Sequence, residues 1–275
     1  MERYIRVNPF DQQSCETRPV VGFNLVCHDR FMTVNLNGEI GVTESTTSPL
    51  GTGVAGGLSD VPLPKQIYSV IRERIISGAY PPGSRLRERE LSQEFDVSRV
   101  PLREALPQLE WDGFIQILPR RGAVVTQLSL RDIEELFDVR LALEPYAARC
   151  AAENVARGAS MEALLSTMAR TEELIGNDEP LLIPAVNARF HMDVVELSDN
   201  KLLVSVMNSL MGRVHWLFRL TWHHNPAVSC AAHRELVEAI RSGNGRLAEA
   251  SAFAHIEHGR KPTLERLAPS LPATL

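Results

Sequence analysis

Apolar positions along the chain fall into two helix-period regimes with a short β-like stretch between them. Over residues 63–78, Ile67, Ile71 and Ile75 recur every fourth position, the stripe of an amphipathic helix. The run Ala79-Tyr80-Pro81-Pro82-Gly83 ends it, because two prolines and a glycine cannot continue a helix. Ser84 to Arg87 then predicts a short strand and Glu88 to Phe95 a short helix. Asp96-Val97-Ser98 breaks the chain, and Ser98 is placed to cap a second helix. Leu102, Ala105, Leu106 and Leu109 stand at i, i+3, i+4 and i+7, so a buried stripe backs that helix. Two apolar runs, Phe114 to Leu118 and Ala123 to Thr126, flank the tight basic turn Pro119-Arg120-Arg121-Gly122 and predict a β wing.

Beyond a connector at Leu128 to Leu130, all of the pattern is helical. The segment from Asp132 to Ala156 carries Ile133, Leu136, Phe137, Leu141 and Ala148 on one face, with a kink expected at Pro145. Helices over 161–175, 181–197, 201–222, 233–241 and 246–267 follow, divided by Gly, Asn, Asp or Pro signals. Such a series predicts an antiparallel bundle. The fold class is therefore mainly α: an N-terminal winged helix-turn-helix with a small β wing over 61–127, and a C-terminal antiparallel all-α bundle over 128–268. Residues 269–275 form a tail. Residues 1–60 show no sustained helical period and become rich in Thr, Ser and Gly from Val42. They read as a disordered extension. Val20 to Val26 and Phe31 to Leu36 could pair as strands, yet nothing larger surrounds them to bury a face. Met32 is an alternative translation start.

Composition refines this division. A chain of 275 residues with 44% hydrophobic content can build two cores. The net charge of -5 argues against a generally basic coat for nucleic acid. Locally the balance differs: residues 64–127 hold ten Lys/Arg against eight Asp/Glu, and residues 128–275 hold fifteen against nineteen. If the helix-turn-helix over 61–127 meets nucleic acid, it would thus depend on placed arginines, reinforced by dimerisation, more than on bulk charge. Cys15, Cys27, Cys150 and Cys230 show no CxxC spacing, and no run of eighteen apolar residues occurs. A cytoplasmic location and no membrane partner are expected.

The residues Pro82-Gly83-Ser84-Arg85-Leu86, Arg89-Glu90-Leu91, Val97-Ser98-Arg99, Pro101-Leu102-Arg103-Glu104-Ala105-Leu106, Asp112-Gly113 and Arg121-Gly122 resemble, in order and spacing, the GntR family of bacterial transcription regulators. Pro107 departs from the pattern and should bend the recognition helix beyond its reading end. In the second half, Val139 to Glu144, Arg189-Phe190-His191, Ser198-Asp199-Asn200, His233 to Ile240 and Ala250 to Ile256 resemble the FCD effector domain of the FadR-like branch. The helix count is nearer its VanR-like subgroup.

The resemblance implies roles. Arg89, Ser98, Arg99, Pro101, Arg103, Arg121 and Gly122 match positions that meet DNA, where an arginine fork suits guanine or a phosphate. Arg72, Arg74, Arg85 and Arg87 read as ordinary solvated charges. Three imidazoles, His191, His233 and His255, match a divalent-metal site for zinc or nickel, whose fourth ligand in the family is a carboxylate one turn before His191. Here that position is Asn187, a neutral and weaker ligand. His215, His223 and His224 match no ligand position. Arg140 and Glu144, at i and i+4, are either a solvated ion pair or an effector-binding pair whose arginine grips a ligand carboxylate.

The expected function is a ligand-responsive repressor, binding a palindromic double-stranded DNA operator as a homodimer and released by a small organic acid. The rivals are a metal-dependent enzyme on the helical bundle and a ligand-independent DNA-binding protein. No catalytic residues are expected, since no placed base or nucleophile accompanies the histidines.

Overall fold

The computed structural model describes residues 31–34, 40–43, 61–118, 122–177, 180–221 and 226–274. Strands β1 (Phe31–Val34) and β2 (Ile40–Thr43) pair antiparallel, Phe31 opposite Thr43. Strand structure thus enters a stretch read as disordered, and β1 falls on one of the two runs with strand pattern. The rest of 1–60 lies outside the described residues.

The first compact unit runs from α1 (Leu63–Ile76) through β3 (Arg85–Leu86), α2 (Glu88–Glu94), α3 (Arg99–Trp111) and β4 (Ile115–Leu118) to β5 (Gly122–Val125). Its sheet has the order β3-β5-β4, antiparallel throughout, with Leu86 opposite Ala123 and Gln116 opposite Val124. Ile67, Ile71 and Ile75 of α1 share a core with Leu102, Ala105, Leu106 and Leu109 of α3, closed by Phe95, Phe114, Ile115 and Val125. Both helical stripes thus do what their period implies.

The turn between α2 and α3 differs from expectation in its chemistry. Asp96 takes the left-handed conformation (φ 54°), which Asp tolerates better than most residues, and Ser92 Oγ donates to the Val97 carbonyl at 2.6 Å. Ser98 occupies the N-cap of α3 with extended backbone, but its side chain makes no capping hydrogen bond. The helix also continues four residues past Pro107, which is exposed, so the lost N–H bond does not end it.

The second unit is built of α4 (Leu130–Ala156), α5 (Glu162–Gly176), α6 (Ile183–Leu197), α7 (Lys201–Thr221), α8 (Pro226–Arg241) and α9 (Gly245–Leu267). Ser129 starts α4 through a capping box with Asp132, so the helix opens two residues before Asp132 and leaves Pro145 inside. Helix α8 begins at Pro226, not His233. Its first turns, Pro-Ala-Val-Ser-Cys-Ala-Ala, start with a proline that suits the first helical position but hold Val, Ser and Cys, which are weak helix formers, so nothing local marks them. Helix α4 lies along α9, where Ala148, Ala151 and Ala152 meet Ala248 and Ala252 in one buried cluster. Such small residues let two helix axes come close. A second cluster joins Ile133 and Phe137 to Met207, Val214, Leu217 and Ile256. No helix among the described residues is long and apolar enough to cross a membrane.

Candidate nucleic-acid interface and metal centre

With Leu102, Ala105, Leu106 and Leu109 turned inward, the other side of α3 faces solvent. Arg99 and Arg103 stand one turn apart there, and Ser98 and Val100 are exposed at the same end. Pro101 is half-buried and sets the first turn. Arg103 Nε donates to Glu88 Oε2 at 3.0 Å, which ties α3 to the start of α2. Arg89 is exposed on α2, and Gly122 is exposed at the start of β5 with φ +80°. Arg121, with Pro119 and Arg120, lies outside the described residues, as do His223 and His224.

Two arginines read as solvated are not. Arg74 donates to Tyr80 Oη at 2.7 Å and pairs with Glu94, while Arg72 sits by the Tyr68 ring and Glu73, its Nε buried. Their place on the α1 face next to the apolar stripe decides this. Val100, 64% exposed, stands at the start of α3 and is an apolar side chain that charge-based reasoning did not single out. An apolar side chain left in water at a recognition-helix start is its only signal.

Inside the bundle, α6, α8 and α9 bring His191, His233 and His255 together, with candidate ligand nitrogens all within 4.8 Å of one another. His191 and His233 are buried and His255 is half-buried. Burial lowers His255 to about 3, helped by His191 and Arg140, and pushes His233 well below the usual range, helped by His255, His191 and Arg140. The imidazoles are therefore neutral, the form that ligates metals. Both ring nitrogens of His233 are buried without a hydrogen-bond partner, an expensive arrangement that a cation would relieve at one of them. By donor type, spacing and this orphaned ring, the three histidines fit a divalent ion such as zinc or nickel.

Arg140 and Glu144 stand beside this group, and the solvated reading of the pair is overturned. Their side chains are 3% and 5% exposed. Arg140 Nε donates to Glu144 Oε1 at 2.6 Å, and Glu144 Oε2 lies 2.7 Å from His191 Nδ1. Burial alone would raise the Glu144 carboxyl, but Arg140 and His191 together hold it well below the ordinary carboxylate range. Burial lowers His191, with Glu144 opposing. With a proton on Nδ1 given to Glu144, His191 would present Nε2 to an ion held by the three imidazoles. The signal was available in the sequence: Arg140 and Glu144 occupy stripe positions between Phe137 and Ala148, where a surface pair would not stand. Asn187, one turn before His191 on α6, is half-buried.

Residues 63–125 match the family described as bacterial regulatory proteins, gntR family, and residues 135–258 match the FCD domain. An HTH-type transcriptional regulator from the TAR-I ttuE-ttuC' intergenic region of Agrobacterium vitis is 35% identical over 153 residues, covering 54% of this chain and 89% of that protein. The chain belongs to the gntR family.

Other gntR-type relatives span most of their length. The uncharacterized HTH-type transcriptional regulator YdhC of Bacillus subtilis is 29% identical across 70% of this chain and 87% of its own. The HTH-type transcriptional repressor RspR of Escherichia coli is 26% identical across 71% and 86%. A crystal structure of a transcriptional regulator GntR from Rhodococcus matches with a TM-score of 0.62 at 22% identity, covering 74% of this chain and 97% of that one, which supports the shared fold. This gntR-family chain is accordingly a DNA-binding transcription regulator with an FCD domain, a class whose members are generally not enzymes.

Proposed function

We propose that this regulator is a ligand-responsive repressor of the FadR-like branch, VanR-like subgroup. It acts in the cytoplasm as a homodimer on a palindromic operator and leaves the DNA when a small organic acid binds. Residues 61–127 read DNA, and residues 128–268 bind the effector and dimerise. Arg89, Ser98, Arg99, Pro101, Arg103, Arg121 and Gly122 meet the operator, with the two α3 guanidiniums at base edges or phosphates and Val100 against a thymine methyl.

The observation that carries the effector half is the buried His233 ring with both nitrogens unpartnered, facing His191 and His255 from a third helix. These three residues hold a divalent ion, with Asn187 offering an amide oxygen in place of a carboxylate. Bound there, such an ion supplies a positive charge and open positions to which a carboxylate is drawn. Glu144 orients His191, and the Arg140 guanidinium, Nη2 at 3.4 Å from both His191 ring nitrogens, places a second positive group at the same spot. Three neutral imidazoles and an internally neutral Arg140–Glu144 pair leave a dication uncompensated. An anionic effector completes that balance.

The test is selection of operators from random duplex DNA by the full-length protein, followed by titration of the complex with mono-, di- and tricarboxylates, with zinc, nickel or chelator. Palindromic selected sites, and a complex that weakens with one acid and a metal, are expected. Single asymmetric sites, or a complex indifferent to every acid with and without metal, would overturn the reading.

A further inference from the structure

Helix α7 touches both the reading head and the histidine group within seven residues, Gly212 to Phe218. On the head side, Arg213 Nε donates to the backbone carbonyl of Asp112 at 2.8 Å. Asp112 is the C-cap of α3, and its carboxylate accepts from Tyr68 Oη of α1 at 2.5 Å and from Gln108 of α3 at 3.2 Å. Gly113 follows with φ +76°, and a Cβ there would run into the Arg213 guanidinium. Gly212 gives way in the same manner to Phe114, whose ring would be 2.8 Å from an added Cβ. Trp216 stacks on Phe114, centroids 5.7 Å apart, and its buried side chain belongs to the core of the head although it is carried by a helix of the bundle.

On the histidine side, the ring of Phe218 lies 5.5 Å from that of His191, and the Arg140 guanidinium sits over it at 5.2 Å. Met207, Val214 and Leu217 anchor the same helix in the bundle core. An α-helix rises about 1.5 Å per residue and is stiff over one to two turns, so Phe218 cannot be displaced along it without moving Arg213 and Trp216. The contacts on the head side are made to the end of the recognition helix itself.

We propose that α7 is the lever by which occupancy of the histidine group sets the pose of the recognition helix, with Phe218 as the sensing contact and the Arg213 clamp on Asp112 as the transmitting one. Capture of a ligand at His191 or Arg140 changes the surface on which Phe218 rests, and the clamp passes that change to the C-terminus of α3. Arg213 is thus a positioning residue that touches neither ligand nor DNA. This rests on the reading that the three histidines bind a metal, and the coupling it names is carried by contiguous packed groups.

Amide hydrogen exchange on the full-length protein tests it, comparing chelator-treated with zinc-loaded samples. Zinc should alter exchange over residues 201–221 and, in the wild type, over residues 108–114 as well. Arg213→Ala should bind zinc with unchanged stoichiometry and keep the response over 201–221, but lose that over 108–114. Arg213→Lys, which keeps the charge without the Nε donor, should behave the same way if the alanine variant fails to fold. A response over 201–221 alone in the wild type, or one over 108–114 that survives both substitutions, overturns the lever. If zinc does not bind, the metal reading fails by itself, and Phe218→Ala decides the lever. That variant should change exchange over 108–114 by at least threefold in the wild-type background and not in Arg213→Ala. Unchanged exchange there overturns the proposal.

Discussion

Arg103 is held at Nε by Glu88, and its side chain is otherwise 65% exposed, so its terminal nitrogens face outward as a fork already restrained in one direction. Replacing it by Ala removes no core contact. Operator affinity at fixed salt should fall by about 1–3 kcal/mol, with the melting temperature unchanged, as gel shift and calorimetry on the same preparation would show. A second residue-scale expectation concerns Asn187. A carboxylate at this position would neutralise part of a dication's charge, whereas the amide offers only a dipole. Asn187→Asp should therefore raise metal occupancy and weaken the response to a carboxylate effector, while His233→Ala loses the metal. Elemental analysis beside ligand titration separates these outcomes, and protein free of metal in all three forms would remove the histidine site from consideration.

At the scale of elements, α1 and α7 meet through a polar seam under the aromatic stack. His215 of α7 lies 4.0 Å from Glu73, with Arg72 and Arg219 as its other charged neighbours. Burial holds the imidazole below its ordinary 6.5; Glu73 opposes, while both arginines add to the lowering. The folded state therefore resists protonation where the unfolded chain accepts it. The stabilising contribution is complete above pH 6.5 and is lost as the pH falls toward the depressed value. Melting temperatures taken between about pH 7 and about pH 5 should decline less steeply for His215→Gln than for the wild type. Identical slopes would mean that this seam takes no part in acid sensitivity. The same seam explains two sequence features at once, since the Asp112-Gly113 pair that ends α3 is also the surface on which α7 lands.

For the whole molecule, the buried cores of head and bundle run from Ile67 of α1 to Leu267 of α9, and the C-terminal stretch adds Leu271 against the bundle core and the Pro272 and Ala273 carbonyls as acceptors for Leu130 and Arg131 N–H. Removal of residues 1–58 should leave melting temperature and operator affinity unchanged. A large fall in either, measured on the truncated and full-length proteins side by side, would show that the N-terminal stretch packs on one of them.

Local regularities were legible in the sequence because they are set by neighbours a few positions away. The Ile67-Ile71-Ile75 stripe, the α3 stripe, the wing around a Pro-Arg-Arg-Gly turn and the succession of helices after Ser129 all follow from periodicity and breakers. The three histidines were separated in sequence and could be grouped only through resemblance to a family; the fold then brings their candidate ligand nitrogens within 4.8 Å of one another. What the sequence left open depended on partners far along the chain. The α4 stripe marked Arg140 and Glu144 as interior, but the partner that lets two charges sit there came from far along the chain: α6 sets His191 against Glu144, and the cost of burial is offset by that mutual pairing. Arg72, Arg74 and His215 likewise owe their burial to contacts across elements. The docking of the head on α7 is decided purely by tertiary structure, because Arg213 and Asp112 are 101 positions apart and nothing local marks either as the other's partner.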